Sequence, residues 1–262
     1  MTETLLATER HPDGSARITL NRPDIHNAFD DRLIAELTAE LTALASDDAV
    51  RAVVLTGSGR SFSAGADLNW MRRTSTYGEA ENLADARALA ELMATLHQLP
   101  KPTIARVNGA ALGGGTGLVA CCDIVVASSQ AVFGTTEVRL GLIPAVIGPY
   151  VVAAIGVRQA RRLILTGERI DAAEAARIGL VHEVVAAEEL DAAIAAVLDH
   201  LRKGGPDALA AAKRLVHDLA GRPIEPELID DTARRIAALR ATAEAREGLA
   251  AFLDKRQASW LR

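Results

Sequence analysis

A glycine-rich segment is the part of the sequence whose residue types most directly suggest chemistry. It runs from Asn108 to Asp123 and has glycine at positions 113, 114, 115 and 117. Glycine is costly to order, so such a cluster indicates backbone that must pass very close to another group. The apolar run 118–122 that follows is compatible with a helix, and exposed N–H groups at a helix start can bind a negatively charged oxygen. A strand-to-helix turn that needs glycine only for packing is the alternative.

A second segment of small residues favours the functional interpretation. Residues 61–67 read Ser-Phe-Ser-Ala-Gly-Ala-Asp and lie upstream of the glycines. This loop could supply another backbone N–H donor to the same oxygen. Small residues suit such a role because the donors belong to the backbone and need no particular side chain.

Several familiar motifs are absent from the sequence. Gly113–Gly117 does not follow the G-x-G-x-x-G pattern of dinucleotide-binding folds, and no phosphate-binding G-x-x-x-x-G-K-[ST] loop occurs. Ser61–Gly65 resembles a nucleophile elbow but begins with Ser where Gly is required. The six histidines are scattered without the spacing of a zinc site. We therefore expect no metal.

Composition limits the possible classes further. A chain of 262 residues can bury a substantial core as one large domain, or as a domain with an appendage. Hydrophobic residues make up 49% and aromatic residues 3%, which favours closely packed helices over an aromatic-rich sandwich. The net charge of −5 argues against a general nucleic-acid surface but allows a local basic pocket for a phosphorylated ligand.

The two cysteines and the N-terminus suggest a location. Cys121 and Cys122 are adjacent in an apolar run, so we expect buried, reduced thiols in a cytoplasmic protein. The first ten residues lack a basic region followed by a long apolar segment, and we expect no secretory signal. No apolar run is long enough to span a bilayer, so we expect no membrane association.

The elements that must position these loops alternate between strands and helices. Asp30 or Asp31 can cap a helix with apolar residues at helical spacing, and another helix is expected over Glu79–Leu99. Shorter helices are expected over Tyr150–Ile155 and Gln159–Leu165, with another capped by Asp171. Strands are predicted at Leu5–Thr8, Ala16–Leu20, Arg51–Thr56, Lys101–Val107, Asp123–Ala127, Ala131–Phe133 and Leu180–Val185.

The chain from about residue 187 onward is alanine-rich and almost wholly helical in pattern. We therefore predict an α/β core over 1–186 and a helical C-terminal region over 187–262.

A series of short motifs in a fixed order resembles the enoyl-CoA hydratase/isomerase (crotonase) superfamily over nearly the whole chain. Each motif is weak alone, and their common order carries the resemblance. They are Asn21-Arg-Pro, Asn27-Ala28, Ser63-Ala-Gly-Ala-Asp67, Lys101-Pro-Thr-Ile-Ala, Asn108-Gly109, Gly113-Gly-Gly115, Cys122-Asp-Ile124, Phe133-Gly134, Glu137, Gly141-Leu-Ile-Pro144, Leu165-Thr-Gly167, Ala175–Val181 and Phe252-Leu-Asp-Lys255.

The resemblance implies a crotonase-like spiral of ββα units whose C-terminal helices assemble a homotrimer, often doubled to a hexamer. It implies an acyl-CoA thioester substrate, with coenzyme A as part of that substrate and no separate cofactor. By motif position, the backbone N–H groups of Ala66 and Gly114 form an oxyanion hole. These donors would stabilise the negative charge that develops on the thioester oxygen.

The catalytic carboxylates depart from the pattern of the superfamily. Members with full hydratase machinery carry two glutamates; the second is present as Glu137, while the first position holds Gly117. The resemblance therefore implies a hydratase in which Glu137 moves the proton alone or with another polar group. A Δ3,Δ2-enoyl-CoA isomerase, which needs one base, is an alternative. A CoA-binding protein that has lost its chemistry is another.

The resemblance also implies substrate contacts, which we expect at Ala28, Ala64, Ala66, Asp67, Leu68, Gly113 and Gly117. Many relatives have a basic residue where this chain has His26. Arg22 could hold a phosphate of coenzyme A or form a salt bridge within its loop. Phe252 and Lys255 resemble a pair that reaches the coenzyme A of a neighbouring subunit, or they serve packing and solvation.

One subgroup is suggested by two local motifs. Residues 65–71 followed by Arg72 and Arg73, together with Gly117 and residues 137–144, resemble bacterial hydratases of the 3-methylglutaconyl-CoA type. That substrate has a distal carboxylate, which Arg72 or Arg73 could bind by a charge-assisted hydrogen bond. An exposed pair of surface arginines is the alternative.

Overall fold

The computed structural model describes residues 4–261 and contains two sheets. The larger sheet has six strands in the order β1-β2-β3-β5-β7-β10, and the smaller has four in the order β4-β6-β8-β9. The strands are β1 Leu6–Arg10, β2 Ser15–Leu20, β3 Ala52–Gly57, β4 Ser61–Ser63, β5 Thr103–Val107, β6 Ala110–Leu112, β7 Ile124–Ser128, β8 Val132–Gly134, β9 Ile170–Asp171 and β10 Glu183–Val185.

The helices fill the connections and form most of the C-terminal third. They are α1 Asp31–Ala45, α2 Leu68–Thr74, α3 Glu79–His97, α4 Gly114–Cys121, α5 Gly148–Thr166, α6 Ala172–Arg177, α7 Leu190–Arg202, α8 Pro206–Leu219, α9 Pro226–Arg240 and α10 Ala243–Leu253. None of the helices within residues 4–261 is long and apolar enough to cross a membrane.

A repeated strand–strand–helix unit builds the core. Strand pairs β3–β4, β5–β6 and β7–β8 each give their first strand to the large sheet and their second to the small sheet, and each pair is followed by helix. The strands β4, β6 and β8 are parallel neighbours. Their carboxyl ends therefore lie along one edge of the small sheet, and three loops leave the sheet together there.

Helix α1 shows how local sequence fixes an element that supports this edge. The Asp30 side chain accepts a hydrogen bond from the Leu33 N–H, which caps the helix as one of the two predicted residues. The helix buries five apolar side chains at helical spacing, namely Leu33, Ile34, Leu37, Leu41 and Leu44. Phe29, just before the cap, is 2% exposed and joins the same core.

Some elements differ from the sequence prediction. The strand expected over Leu180–Val185 is confined to Glu183–Val185, because Leu180 and Val181 instead donate backbone hydrogen bonds to Ala175 and bury their side chains. By contrast, the two helices expected over Tyr150–Ile155 and Gln159–Leu165 are confirmed, because α5 consists of two helices that meet at a kink at Gly156, where φ is +72° and ψ is 158°. The loop expected at residues 61–67 begins with strand β4.

The C-terminal third divides into a helix packed on the large sheet and three that bury little. Leu190 and Ile194 of α7 pack against Val54, Ile104 and Val126 of the large sheet. By contrast, α8 has no buried residue, and α9 and α10 have one each. The predicted division at residue 186 remains a prediction. The outer ends of the two predicted regions, residues 1–3 and residue 262, lie outside the described residues. So does the start of the segment in which no secretory signal is expected.

Candidate active site

The glycine turn between β6 and α4 presents a free backbone donor. Gly113 adopts φ +52° and donates its N–H to the Gly134 carbonyl at 2.8 Å, which fixes the turn against β8. Gly114 is the first residue of α4, and residues 4–261 offer its N–H no acceptor. A Cβ at position 114 would lie 2.1 Å from Cζ of Phe29, so only glycine fits. The predicted donor at Gly114 is thus free and held in place by its surroundings.

A second free donor lies on the loop after β4. The Phe29 N–H donates to the Gly65 carbonyl at 2.8 Å, and the Asp67 N–H donates to the Phe29 carbonyl at 3.0 Å. These two bonds flank Ala66 and leave its own N–H without an acceptor in the described part of the chain. A Cβ on Gly65 would lie 3.6 Å from the Gly114 nitrogen. The two loops that carry the predicted donors therefore lie side by side.

Glu137 brings a carboxylate to the same turn. It begins a short 3-10 turn three residues after β8 ends, and its side chain is half-buried. A Cβ on Gly113 would lie 3.3 Å from Oε1, so the carboxyl group lies against the glycine turn. Oε2 is buried and has no hydrogen-bond partner among the described residues. Burial raises the pKa of the Glu137 carboxyl above its ordinary value.

A buried carboxyl oxygen without a protein partner is costly. Glu40 Oε1 and four other side-chain atoms among the described residues also lack one, so it is the position of Glu137 that sets it apart. Here it lies beside two free N–H donors that suit an oxyanion. The arrangement can polarise a carbonyl and transfer a proton beside it. Among residues 4–261, no group of His, Cys, Asp or Glu could hold a metal ion.

Gly117 lies inside the packed core of α4. A Cβ at this position would lie 2.2 Å from Cγ2 of Ile147 and 3.3 Å from Cε of Met93. The space that a side chain at 117 would need is therefore filled by Ile147. The sequence did not indicate this contact, because it joins residues thirty positions apart.

The other predicted substrate contacts have different surroundings. Ala28 and Asp67 are both 6% exposed, whereas Leu68 is 70% exposed at the start of α2. The Ala64 N–H donates to the His26 carbonyl at 2.9 Å. Asp67 caps α2, accepting hydrogen bonds from Asn69 and Trp70. Leu68 is therefore the most accessible side chain of this set.

The predicted basic and C-terminal residues are dispersed around the site. His26 pairs with Ser61 through Nδ1 at 2.9 Å and with Arg60 through Nε2 at 3.1 Å. Arg73 forms an ion pair with Asp31, while the exposed Arg72 donates a hydrogen bond to the side-chain oxygen of Asn69 at 3.3 Å. Phe252 is 81% exposed, and Lys255 is exposed beyond the end of α10.

Two supporting residues were missed in the sequence. Phe29 holds both loops, through its backbone hydrogen bonds with Gly65 and Asp67 and through its ring against Gly114. Thr116 is 2% exposed; its hydroxyl donates to the Ala111 carbonyl at 2.7 Å and accepts from the Gly134 N–H at 3.2 Å. It thereby joins α4 to the strand that precedes Glu137. A Thr buried in an otherwise apolar helix was the only signal.

Comparison with known proteins places this geometry in a family. A sequence model of the enoyl-CoA hydratase/isomerase family matches residues 10–262. The chain belongs to the enoyl-CoA hydratase/isomerase family.

Named relatives of this family member cover almost the whole chain. A putative enoyl-CoA hydratase from Thermus thermophilus is 37% identical over 92% of this chain and 95% of its own length. The 2,3-dehydroadipyl-CoA hydratase of Escherichia coli is 36% identical over 91% of this chain and 92% of its own. The crystal structure of an enoyl-CoA hydratase from Shewanella pealeana superposes with a TM-score of 0.95 at 43% identity, over 98% and 96% of the two chains. The predicted crotonase-like α/β fold is confirmed.

Proposed function

We propose that the protein is an enoyl-CoA hydratase that adds water to a 2-enoyl-CoA thioester with a single carboxylate. The observation that carries this proposal is the buried, unpartnered Oε2 of Glu137 beside the glycine turn. A non-catalytic CoA-binding protein gives no reason for a carboxyl group at this glycine turn. Family membership and the hydratase names of the relatives support the same reaction.

The mechanism follows from the three groups. The thioester oxygen accepts hydrogen bonds from the Ala66 and Gly114 N–H groups, which draws electron density from the C2–C3 double bond. Ionised Glu137 removes a proton from water as the water oxygen bonds to C3, and the resulting enolate is stabilised by the same two donors. Glu137 then gives its proton to C2, the enolate returns to a thioester, and the carboxylate is regenerated. Losing one oxyanion donor costs about 2.7–4 kcal/mol in other enzymes.

Isomerisation of a 3-enoyl-CoA is the second candidate function. Relatives with two catalytic glutamates carry them at the positions of Gly117 and Glu137. Here Ile147 fills the space that a side chain at position 117 would need, so Glu137 is the one carboxylate that these two positions supply. Moving a proton from C2 to C4 through one base needs no water. A 3-enoyl-CoA substrate, followed by absorbance and mass, separates the two reactions because only hydration adds 18 mass units.

The acyl group is proposed to carry a distal carboxylate, as in 3-methylglutaconyl-CoA. Arg73 is already paired with Asp31, whereas Arg72 is exposed, forms no ion pair with the residues that the structure describes, and can bind an anion. The Escherichia coli relative is named for 2,3-dehydroadipyl-CoA, whose acyl group also ends in a carboxylate. Arg72, rather than Arg73, is therefore the proposed partner.

A matched substrate pair tests the acyl proposal. We expect Arg72→Met to raise KM for 3-methylglutaconyl-CoA about tenfold while leaving crotonyl-CoA hydration unchanged. Arg73→Met serves as the control, since its guanidinium is occupied. Equal effects of Arg72→Met on both substrates, or a larger effect of Arg73→Met, would refute this assignment.

Assembly and location belong to the same proposal. We propose a homo-oligomer, trimer or hexamer, in which the exposed apolar residues of α9 and α10 are covered by another copy; among them are Ile229, Ile236, Leu249, Phe252 and Leu253. A cytoplasmic location is proposed because Cys121 and Cys122 are free and buried, as expected for thiols that remain reduced. Coenzyme A is proposed to enter only as part of the substrate.

A further inference from the structure

Arg22 lies in the loop between β2 and α1 and joins three oxygen acceptors. Its side chain is only 13% exposed. Nη1 donates to the Ala28 carbonyl at 2.8 Å and lies 3.3 Å from Oδ2 of Asp30, while Nη2 lies 3.3 Å from Oδ2 of Asp67. Both carboxylates are themselves at least 86% buried, because their side chains are 14% and 8% exposed. The guanidinium is thus committed to protein groups rather than open to a phosphate.

These contacts lie on either side of the backbone pairing that frees the Ala66 donor. Ala28 directly precedes Phe29, whose N–H and carbonyl bond to the residues before and after Ala66. Asp67 directly follows Ala66 and uses its other carboxylate oxygen to cap α2 at 2.7 and 3.1 Å. Arg22 therefore connects the residue before Phe29 with the residue after Ala66.

Ser63 fixes the start of the loop that carries Ala66, since its hydroxyl accepts the Gly65 N–H at 3.2 Å and donates to the Asn27 carbonyl at 2.8 Å, whereas Arg22 fixes the end of the loop through Asp67. Ala66 has no functional side chain, and its N–H must point away from both flanking hydrogen bonds. The peptide that carries this N–H joins Gly65 to Ala66, and the Phe29 N–H holds its carbonyl. The charge-assisted bonds of Arg22 hold the flanking residues, Ala28 before Phe29 and Asp67 after Ala66. Without Arg22, Asp30 and Asp67 would be two buried carboxylates without their shared cation, and the loop would move to hydrate them.

We propose that Arg22 is a positioning residue of the oxyanion hole, which holds the Ala66 N–H in the direction that the thioester oxygen requires. It acts through Asp67 and does not contact the substrate. The inference rests on the proposed function, since it assumes that a thioester oxygen binds between Ala66 and Gly114. A small displacement of a donor is enough to reduce catalysis, because misplacement by about 1 Å can cost on the order of 100-fold.

Three variants test the proposal. Arg22→Met removes the charge and all three contacts, and Arg22→Lys keeps the charge but cannot reach three acceptors at once. Lys213→Met is the matched control. The Lys213 side chain, on α8, is 8% exposed, and its Nζ lies 2.8 Å from Oδ2 of Asp123, which is in neither of the two loops. Both Met variants break a buried ion pair, so both should lower the unfolding temperature.

The readouts are kcat, KM and the infrared C=O stretch of bound hexanoyl-CoA labelled with 13C at the thioester carbon. This saturated ligand cannot be hydrated or isomerised, so its carbonyl frequency reports hydrogen bonding alone. We expect Arg22→Met to lower kcat about 30-fold with KM changed less than threefold, and to abolish most of the shift to lower frequency seen on binding to the wild type. Arg22→Lys should be intermediate in both, and Lys213→Met should match the wild type in both.

The proposal is overturned if Arg22→Met loses stability as Lys213→Met does but keeps the wild-type kcat and carbonyl frequency. It is also overturned if KM rises while kcat is unchanged, which is the result expected for a phosphate ligand. Should Arg22→Met fail to fold, wild-type values for Arg22→Lys overturn it equally. A wild-type protein that turns over no enoyl-CoA but still shifts the carbonyl frequency would refute the proposed function and leave the positioning role standing.

Discussion

Two regions of the molecule bury ionisable side chains, and they treat them in opposite ways. Where α8 packs on the core, Lys213 Nζ lies 2.8 Å from Oδ2 of Asp123, and the same carboxylate oxygen accepts hydrogen bonds from the N–H and hydroxyl of Thr103. At the edge of the small sheet, Oε2 of Glu137 has no partner among the described residues. The Lys213–Asp123 pair is satisfied by protein groups, whereas this oxygen of Glu137 is not.

The difference distinguishes a structural use of charge from a chemical one. A paired and hydrogen-bonded group holds elements in position, and its proton affinity changes little during any reaction. An unpaired carboxyl group in a buried site keeps a raised pKa and an open position for a proton. The contrast predicts that substitutions in the two regions affect different measurable properties.

The largest expected effect is on turnover when the unpaired carboxyl group is removed. Glu137→Gln should lower kcat by roughly 10²–10⁴-fold, because it removes proton transfer and little volume. Binding of a saturated acyl-CoA should be unchanged within a few fold. Steady-state kinetics with crotonyl-CoA and calorimetric titration measure the two quantities.

The stability of this variant should move in the other direction. The pKa of Glu137 in the folded protein lies above its ordinary value of 4.5, so the folded state binds more protons and ionisation above that pH costs stability. At pH 7, Glu137→Gln should therefore unfold at the same temperature as the wild type or higher. Glu40→Gln, which changes another partly buried carboxylate near Arg10, is the control and should retain kcat. Near-normal turnover of Glu137→Gln would remove Glu137 as the base.

An intermediate effect is expected when a second carboxylate is added to the site. Gly117→Glu places a Cβ 2.2 Å from Ile147, so we expect a loss of about 1–3 kcal/mol in stability from overpacking and no gain in hydration. Ile147→Ala in the same chain should restore much of the unfolding temperature. Thermal unfolding and crotonyl-CoA kinetics of the two single variants and the double variant test this. A Gly117→Glu protein as stable as the wild type would show that Ile147 does not fill the position.

The smallest expected effect is a pH dependence at α8. His97 stacks on His217 with ring centroids 4.3 Å apart, and it also faces Tyr150, Lys213, Asp123 and the Cys121 backbone. Burial, followed by the electrostatic effects of the neighbouring His217 and Lys213, lowers the pKa of His97 below its ordinary value of 6.5. The unfolded chain then binds more protons than the folded one, so stability is complete above about pH 6.5 and falls as the pH drops toward the folded pKa.

His97→Phe keeps an aromatic ring in the stack and removes the titration. Between pH 7.5 and 5.5 we expect the unfolding temperature of the wild type to fall further than that of His97→Phe, by no more than a few degrees. Turnover should be alike in the two proteins at pH 7.5. Parallel falls in both proteins would exclude His97 as the source of the pH dependence.

Local patterns in the sequence were sufficient for much of the fold but not for the packing around the site. The Asp30 cap and the apolar spacing of α1 depend on neighbouring residues, and both were predicted correctly. Strands β4 and β6 have three residues each and are stabilised by each other rather than by their own propensity. Strand β10 is shorter than predicted, because the apolar side chains of Leu180 and Val181 are buried although their backbones pair with no strand.

The site shows the same limit. Glu137 and the two backbone donors were predicted from a resemblance of motifs, and their predicted roles await experiment. The contacts that constrain them, Ile147 over Gly117 and Arg22 on Asp67, join residues 30 and 45 positions apart. A single sequence contains no local signal for such pairs, because either partner alone is compatible with many neighbours.

The contact between Gly117 and Ile147 also constrains how this enzyme could be related by descent to one with two carboxylates. A glutamate that arises first at position 117 meets the Ile147 side chain, and the intermediate protein is less stable. A smaller residue that arises first at position 147 leaves only a cavity, which the fold tolerates at a moderate cost. The order of the two substitutions therefore determines whether the path is open. The pair forms an epistatic barrier between the two kinds of active site, and position 147 is where a lineage would have to change first.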